Sequence, residues 1–286
     1  YKLLIYSLFD DNHTYCIRCY TCAQRGNYMN YDVNYIKEVL YHAGEYIMGQ
    51  LRDDSIYSKG KDDYVTEIDL IVQDQIKTCL MDKYPDVQFM SEEQINEVDF
   101  SQPCWVLDPI DGTTNFYRQL NMSAISVALL KNDTPIIAVC YNPYLKEMYT
   151  AIKDCGAFLN DKKIHVSNKK LKDGILLCGC APYYDELRKE SLDIQNKLSL
   201  IASDYRRYSS AVIELCNIAS GKAELYFELK LMPWDYAAGS LIVQEAGGKI
   251  TTISGKKIQY NDSSSIIASN KVEDYIKYIE GDGIFE

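Results

Sequence analysis

Trp105-Val106-Leu107-Asp108-Pro109-Ile110-Asp111-Gly112-Thr113-Thr114-Asn115-Phe116 is the stretch on which the reading of this chain turns. Its apolar start, Trp105 to Leu107, predicts a buried strand that ends on Asp108. Pro109 predicts a turn there, which brings Asp111 back within reach of Asp108. Two carboxylates held so close repel each other unless a cation sits between them. Neither His nor Cys interrupts the segment, so the ligation would be by oxygen alone, suiting Mg²⁺ or Mn²⁺ rather than zinc. Gly112-Thr113-Thr114 then opens a predicted helix whose free N–H groups can hold a phosphate oxygen. A lone aspartate pair would more simply cap a helix, with Thr114 and Asn115 as ordinary turn residues. The Gly-Thr-Thr that follows favours a metal and phosphate site.

Outward from this segment, the hydrophobic period switches between helix and strand. Val33, Ile36, Leu40, Ala43, Ile47 and Leu51 predict an amphipathic helix. A second follows a cap at Thr66 or Asp69, with Val72, Ile76, Cys79 and Leu80 on its buried side. Val87 to Met90 predicts a short strand leading into Ser91-Glu92-Glu93. Antiparallel strands are expected over Ala124 to Leu130, Pro135 to Tyr141 and Glu147 to Ile152, the last two joined by a turn at Asn142-Pro143. After the apolar run Ile175 to Cys178, helices are expected around Leu187 to Ile201, from Ala211 to Ser220 and from Tyr236 to Ala246. Gly221 and Gly247-Gly248 stop the last two, and a strand follows over Lys249 to Ile253.

The 286 residues, 47% hydrophobic and 25% charged, are those of an ordinary globular protein with ample material for a core. A net charge of -11, from 30 basic and 41 acidic residues, argues against a nucleic-acid partner, and no basic stripe is present. Arg206-Arg207 and Lys169-Lys170 read as isolated, solvated pairs. No apolar stretch is long enough for a membrane span. Several of the ten cysteines (Cys79, Cys104, Cys140, Cys216) stand singly in apolar runs, and no secretory signal is evident. A reducing, cytoplasmic setting is the expectation. Residues 1–28 differ from the rest and are expected to be a leader before a start at Met29. Cys16, Cys19 and Cys22 there have C-x-x-C-x-x-C spacing, but a cluster needs a fourth ligand and the next cysteine is the distant Cys79. His13, His42 and His165 are scattered and carry no catalytic expectation.

Asp108 to Phe116, together with Trp234-Asp235-Tyr236-Ala237-Ala238-Gly239 and Glu245-Ala246-Gly247-Gly248, resembles the two signature motifs of the inositol monophosphatase family. The resemblance extends through Val65 to Asp69, Ser91 to Glu93, Gly156 to Phe158 and Ala211 to Cys216, covering nearly all of 32–270. It implies an α+β fold, the layered α-β-α-β-α sandwich that this family shares with fructose-1,6-bisphosphatase. It also implies Mg²⁺ dependence and a homodimer, with residues 29–286 as the catalytic domain. Position by position, Glu92, Asp108, the Ile110 carbonyl, Asp111 and Asp235 match metal ligands. Thr113, with Glu92, matches the residue that orients and deprotonates the attacking water, and Asp69 matches a nearby acid. Asp111, Gly112, Thr113, Ala211, Glu228 and Asp235 match positions that contact substrate.

The implied activity is hydrolysis of a small phosphate monoester, foremost inositol monophosphate or a related sugar or polyol phosphate. Relatives acting on 3′-phosphoadenosine 5′-phosphate or fructose 1,6-bisphosphate mark the alternatives within the same chemistry. A non-catalytic phosphometabolite-binding protein on this scaffold is the alternative of a different class. Two stretches depart from the family pattern. Ser209-Ser210 stands where a Gly-Ser or Gly-Thr pair is common, and Cys178 to Tyr184 matches no known substrate pattern. Both put the identity of the alcohol in doubt, rather than the catalysis.

Overall fold

The apolar spacing from Val33 onward folds as helix α1 (Val33–Gln50), and the next periodic stretch as α2 (Glu67–Lys83). This computed structural model of the chain describes residues 30–50, 67–94 and 96–272. Leu51, the expected cap at Thr66, Met29 and the leader with Cys16, Cys19 and Cys22 lie outside the described residues. Ile36, Leu40 and Ile47 of α1 are buried, as are Val72, Ile76 and Leu80 of α2. Cys79 is only half-buried, and Asp69 lies inside the first turn of α2, fully buried, rather than capping it.

Seven strands form the first sheet in chain order: β1 (Gln88–Ser91), β2 (Cys104–Asp111), β3 (Ala124–Leu130), β4 (Pro135–Asn142), β5 (Glu147–Ile152), β6 (Gly156–Leu159) and β7 (Lys162–Ile164). Only β1 and β2 are parallel; the remaining neighbours are antiparallel. Antiparallel sheets commonly keep one wet face. This one is covered on both, so β3 and β4 read as continuous apolar runs. Period two sorts their residues between two cores. Trp105, Leu107, Val127, Leu129 and Val139 pack toward α1 and α2, whereas Val106, Ala128, Ala138 and Cys140 enter the inner layer. At the β4–β5 turn, the Asn142 side chain accepts from the Tyr144 and Leu145 N–H groups.

A second sheet contains β8 (Ile175–Cys178), β9 (Asp204–Arg206), β10 (Leu225–Leu231), β11 (Lys249–Thr251) and β12 (Ser264–Ser269), in the order β11-β12-β10-β8-β9. The last three of that order, β10, β8 and β9, run parallel. Between the strands come α3 (Thr113–Tyr117), α4 (Asp185–Ser199), α5 (Ala211–Ala219) and α6 (Pro233–Glu245). Helices α5 and α6 fill the space between the sheets, and α4 covers the outer face of the second. The result is the expected five-layer α-β-α-β-α sandwich of the α+β class.

Three local differences bear on the site. Strand β2 does not end on Asp108 but runs on to Asp111 through a slip in its register with β3. Helix α6 begins at Pro233, so Asp235 lies within its first turn and not ahead of it. Strands β6, β7, β9, β10 and β12 are additions to the sequence reading. Lys in β7 and Ser in β12 blur the period, and in β10 the polar residues Glu228 and Lys230 face a cavity rather than bulk solvent.

The inner layer depends on close approach of α5 and α6. A Cβ on Gly239 would lie 2.5 Å from Cδ1 and 2.7 Å from Cβ of Leu215. Gly239→Ala is therefore expected to lose about 1–3 kcal/mol through overpacking. The midpoint of urea unfolding should fall at constant slope, and an unmoved midpoint would contradict this packing.

Candidate active site

Strand β1 accompanies β2 only as far as Leu107, and beyond Asp108 the pairing with β3 slips. Pro109, having no N–H to give to a ladder, fits such a bulge. Inside it the Ile110 N–H donates to Oδ1 of Asp108 at 3.0 Å, and Oγ1 of Thr113 donates to the Ile110 carbonyl at 3.1 Å. Gly112 turns the chain into α3 with a φ of 83°, and a Cβ there would lie 3.0 Å from the Met122 carbonyl oxygen. Asn115 is no ordinary turn residue. Its Nδ2 donates to the carbonyls of Met122 at 2.7 Å and Tyr208 at 2.6 Å, tying α3 to the loop before α5.

That loop orients Asp111. Its Oδ2 accepts from Oγ of Ser210 and from the Val212 N–H at 2.7 Å, and Ser210 also caps α5 by accepting from the Ile213 N–H at 3.2 Å. Ser210, noted in the sequence as a departure, thus holds a carboxylate of the site. Asp235 has a similar tether: its Oδ2 accepts the Met232 N–H at 2.7 Å across the start of α6. Capping therefore coexists with a place in the wall of the site. Oxygens of Asp108, Asp111 and Asp235 converge to within 4.8 Å of one another.

Glu92 follows β1 in a loop pinned from α2. Oε1 of Gln73 accepts from Oγ of Ser91 at 2.5 Å and from the Glu93 N–H at 3.2 Å, and the Asn96 side chain brackets Ser91 on both backbone sides. Sequence reading missed Gln73; only its burial on the polar edge of α2 distinguishes it. Asp69, on the same helix, is buried close enough for its charge to act on Glu92 and Asp108.

Glu92, Asp108, Asp111 and Asp235 line one end of a cavity of about 560 Å³, together with Gly112, Thr113, Ala211 and Trp234. Trp234 packs against the inner core and also lines the cavity. The other wall comes from the carboxyl ends of β8, β9 and β10. Glu228 of β10 accepts from the Tyr226 hydroxyl at 2.9 Å and from the Ala181 N–H at 3.3 Å. Its carboxylate lies against Gly179, where any Cβ would clash with it. The unassigned segment Cys178 to Tyr184 is therefore cavity wall, contributed by Ala181, Pro182, Tyr183 and Tyr184. Arg206 is solvated and paired with Asp204 at 2.6 Å, but Arg207 is not simply solvated, because it lines the cavity.

Electrostatics sets the character of the metal end. Burial, then Glu92, Asp111, Asp235 and Asp69, push the Asp108 carboxyl well above its ordinary value. Burial raises Asp111 to about 6, against the lowering by Ser210 and the Val212 N–H. Asp235 is raised well above normal by burial and then by Glu92 and Asp111. Glu92, desolvated by the surrounding protein and repelled by Glu93, Asp69 and Asp111, reaches about 8. Its side chain is nonetheless open to the water of the cavity, so repulsion is the firmer of those two causes. Asp108, Asp111 and Asp235 form an all-oxygen donor set that a hard divalent cation would relieve; Glu92 and Ile110 line the same cavity, and the convergent group does not include them.

A carboxylate cluster that could hold a metal ion thus lies beside a Gly-Thr turn, between the two sheets of a five-layer sandwich. The chain belongs to the inositol monophosphatase family, whose model matches residues 31–281. It is 35% identical over 214 residues to the Nus factor SuhB of Salmonella typhimurium, covering 74% of this chain and 80% of that protein. It is 33% identical over 228 residues to the inositol-1-monophosphatase of Mesorhizobium japonicum, covering 78% and 85% respectively. The crystal structure of the suppressor protein SuhB from Bartonella henselae superposes with a TM-score of 0.77 at 30% identity, over 84% of this chain and 93% of that one.

The raised carboxyls make stability depend on pH. Each has a folded-state value above its unfolded one, so the stabilisation by protonation is complete below the unfolded value. It is lost as pH rises through about 6 for Asp111 and about 8 for Glu92. Without divalent cations, the melting temperature should fall between about pH 5 and about pH 8.5. Added Mg²⁺ should raise it more at the upper pH than at the lower, where protons compete for the same oxygens. Thermal melts across pH with and without Mg²⁺ check this, and equal Mg²⁺ gains at both ends would contradict it.

Proposed function

We propose that this protein hydrolyses a small phosphate monoester with Mg²⁺ as cofactor, its substrate being inositol monophosphate or a related sugar or polyol phosphate. The observation that carries this is the convergence of Asp108, Asp111 and Asp235 within 4.8 Å beside Gly112 and Thr113. Membership in the family and the similarity to a protein named inositol-1-monophosphatase support the choice of ester. In this reading Glu92, Asp108, the Ile110 carbonyl, Asp111 and Asp235 would hold the metal. Bound there, a divalent cation supplies charge neutralisation for an anionic ester and acidifies water at neutral pH.

The remaining work falls to the chain itself. Thr113 already gives its hydroxyl proton to the Ile110 carbonyl, so it offers a water only acceptor lone pairs. A water held that way points one proton at Thr113 and keeps a lone pair for phosphorus, and Glu92 receives the proton that is lost. Asp69 lends its charge to keep Glu92 basic. Gly112 and Thr113 N–H groups steady the phosphate oxygens, and the leaving alkoxide takes a proton from a water near Asp235. Ala211 and Glu228 face the alcohol, Glu228 as an acceptor for its hydroxyls. No side-chain nucleophile is needed, since phosphoryl transfer asks chiefly for positioning and charge stabilisation.

Phosphatases of 3′-phosphoadenosine 5′-phosphate and fructose 1,6-bisphosphate remain the alternatives within this chemistry. The reading of another class is a phosphometabolite-binding protein without turnover; the name Nus factor, carried by a similar protein, states no enzyme activity. The full set of carboxylates speaks for catalysis over it. Residues 29–286 form the catalytic domain in this reading, acting as a homodimer in the cytoplasm without a nucleic-acid or membrane partner. None of the seven described cysteines is in a disulfide. No helix among the described residues is long and apolar enough to cross a membrane.

Phosphate release from a panel of monoesters, with and without Mg²⁺, tests the proposal. Turnover should appear only with the metal. Asp108→Asn and Glu92→Gln should each lower kcat by about 10²-fold or more while the protein stays folded. Mg²⁺-dependent turnover of no ester would refute the enzyme reading, and a near-normal rate in either variant would refute its assignment.

A further inference from the structure

Two thiols meet behind the carboxylate cluster. Cys140 of β4 and Cys216 of α5 both belong to the inner core, and both line a second cavity of about 200 Å³. Their side chains hydrogen-bond to each other, and Cys140 keeps its proton: burial, then this bond to Cys216, push its thiol well above the ordinary range. Leu145 and Lys222 line the same cavity and are exposed, so it opens to solvent. Short connections tie the pair to each of the three acids. Across the first sheet Cys140 pairs with Ser126 of β3, and Ser126 with Asp108 of β2, so the three stand in one row. Ser126 also gives its hydroxyl to the Trp234 carbonyl at 3.2 Å, next to Asp235. Cys216 lies one turn along α5 from Val212, whose N–H donates to Asp111 at 2.7 Å.

Hydrolysis by metal-activated water has no use for a thiol. Resting on the phosphatase reading, we propose that Cys140 and Cys216 form a redox site at which a peroxide closes a disulfide, and that closure switches the phosphatase off by displacing its acids. The Cys216 sulfur attacks one peroxide oxygen, the O–O bond breaks, and Cys216 becomes a sulfenic acid as water leaves. Cys140 then attacks that sulfur, the S–O bond breaks, and a second water is released. Two thiols are thereby oxidised and one H₂O₂ is reduced to two waters. A covalent S–S bond is shorter than a hydrogen-bonded contact between thiols, so closing it draws β4 and α5 together. Helix α5 is already fitted against α6 at Leu215 and Gly239, which leaves its start and the Cys140–Ser126–Asp108 row to take up the shift.

Treating the unaltered protein with hydrogen peroxide, after reductant has been removed, tests this. In peptide maps made without reduction, the peptides carrying Cys140 and Cys216 should appear joined, at their summed mass less two hydrogens. The Mg²⁺-dependent rate of ester hydrolysis should fall about tenfold or more and return with dithiothreitol. In Cys140→Ala and Cys216→Ser the rate should survive the same treatment. The gain in melting temperature from Mg²⁺ should shrink in the oxidised protein, a readout that needs no turnover. Linkage and Mg²⁺ gain are read on the unaltered protein, so they decide even if a variant does not fold. Absence of the linked peptide, or a linked peptide with the rate or the Mg²⁺ gain unchanged, would overturn the proposal and leave the phosphatase reading intact. A loss of rate shared by both variants would do the same. Turnover of no ester before oxidation would instead refute that reading, and linkage with the Mg²⁺ gain would then decide the redox site alone.

Discussion

Repulsion among Asp108, Asp111 and Asp235, whose oxygens are held within 4.8 Å of one another, is the constraint around which the molecule is organised. Without a cation each carboxyl is driven toward its protonated form, and the backbone keeps them together despite that cost. The means are local and directional. A bulge in β2 aims Asp108 and Asp111, the start of α5 donates to Asp111, and the start of α6 donates to Asp235. Both helix starts lend positive potential as well as hydrogen bonds. Such a cluster is tolerable only in a rigid frame. Burying the first sheet on both faces, with α5 and α6 in close contact behind it, provides that frame.

The two sheets divide the labour. Groups suited to breaking the ester bond come from the ends of β1 and β2 and from α6, each braced by donors from a different layer. Groups suited to choosing the alcohol come from the carboxyl ends of three parallel strands in the second sheet, where open α/β sheets commonly bind ligands. The loops after β9 and β10 also brace the carboxylate cluster, since Ser210 donates to Asp111 and the Met232 N–H to Asp235. A single motif can likewise contain unrelated tasks. Asp235 faces the site, whereas Glu245, ten residues on in the same helix, accepts the Asp154 and Gly156 N–H groups at 2.8 and 2.7 Å and merely fastens the β5–β6 turn.

What the sequence determined by itself is the part of the protein whose causes are short-range. Asp108 to Thr114 can be read as a site because the strand, the proline, the two acids and the left-handed glycine act on one another within seven residues. The helix from Val33 and the strands β3 to β5 are legible for the same reason, since burial imposes its period directly on consecutive residues. Asp235 and Glu92 could be joined to that site only through resemblance, being brought there by separate elements. Tertiary structure alone decided the rest. Ser210 reaches Asp111 across 99 positions, and Gln73 fixes the Glu92 loop across 20. Arg207, just past the short edge strand β9, lines the cavity, whereas its neighbour Arg206 pairs with Asp204. Neither residue type nor spacing records which side faces a cavity, because the opposite wall is built by chain that comes before and after in unrelated places. The acids that bind the cation are thus written locally, and the surface that receives the alcohol exists only once the two sheets have packed.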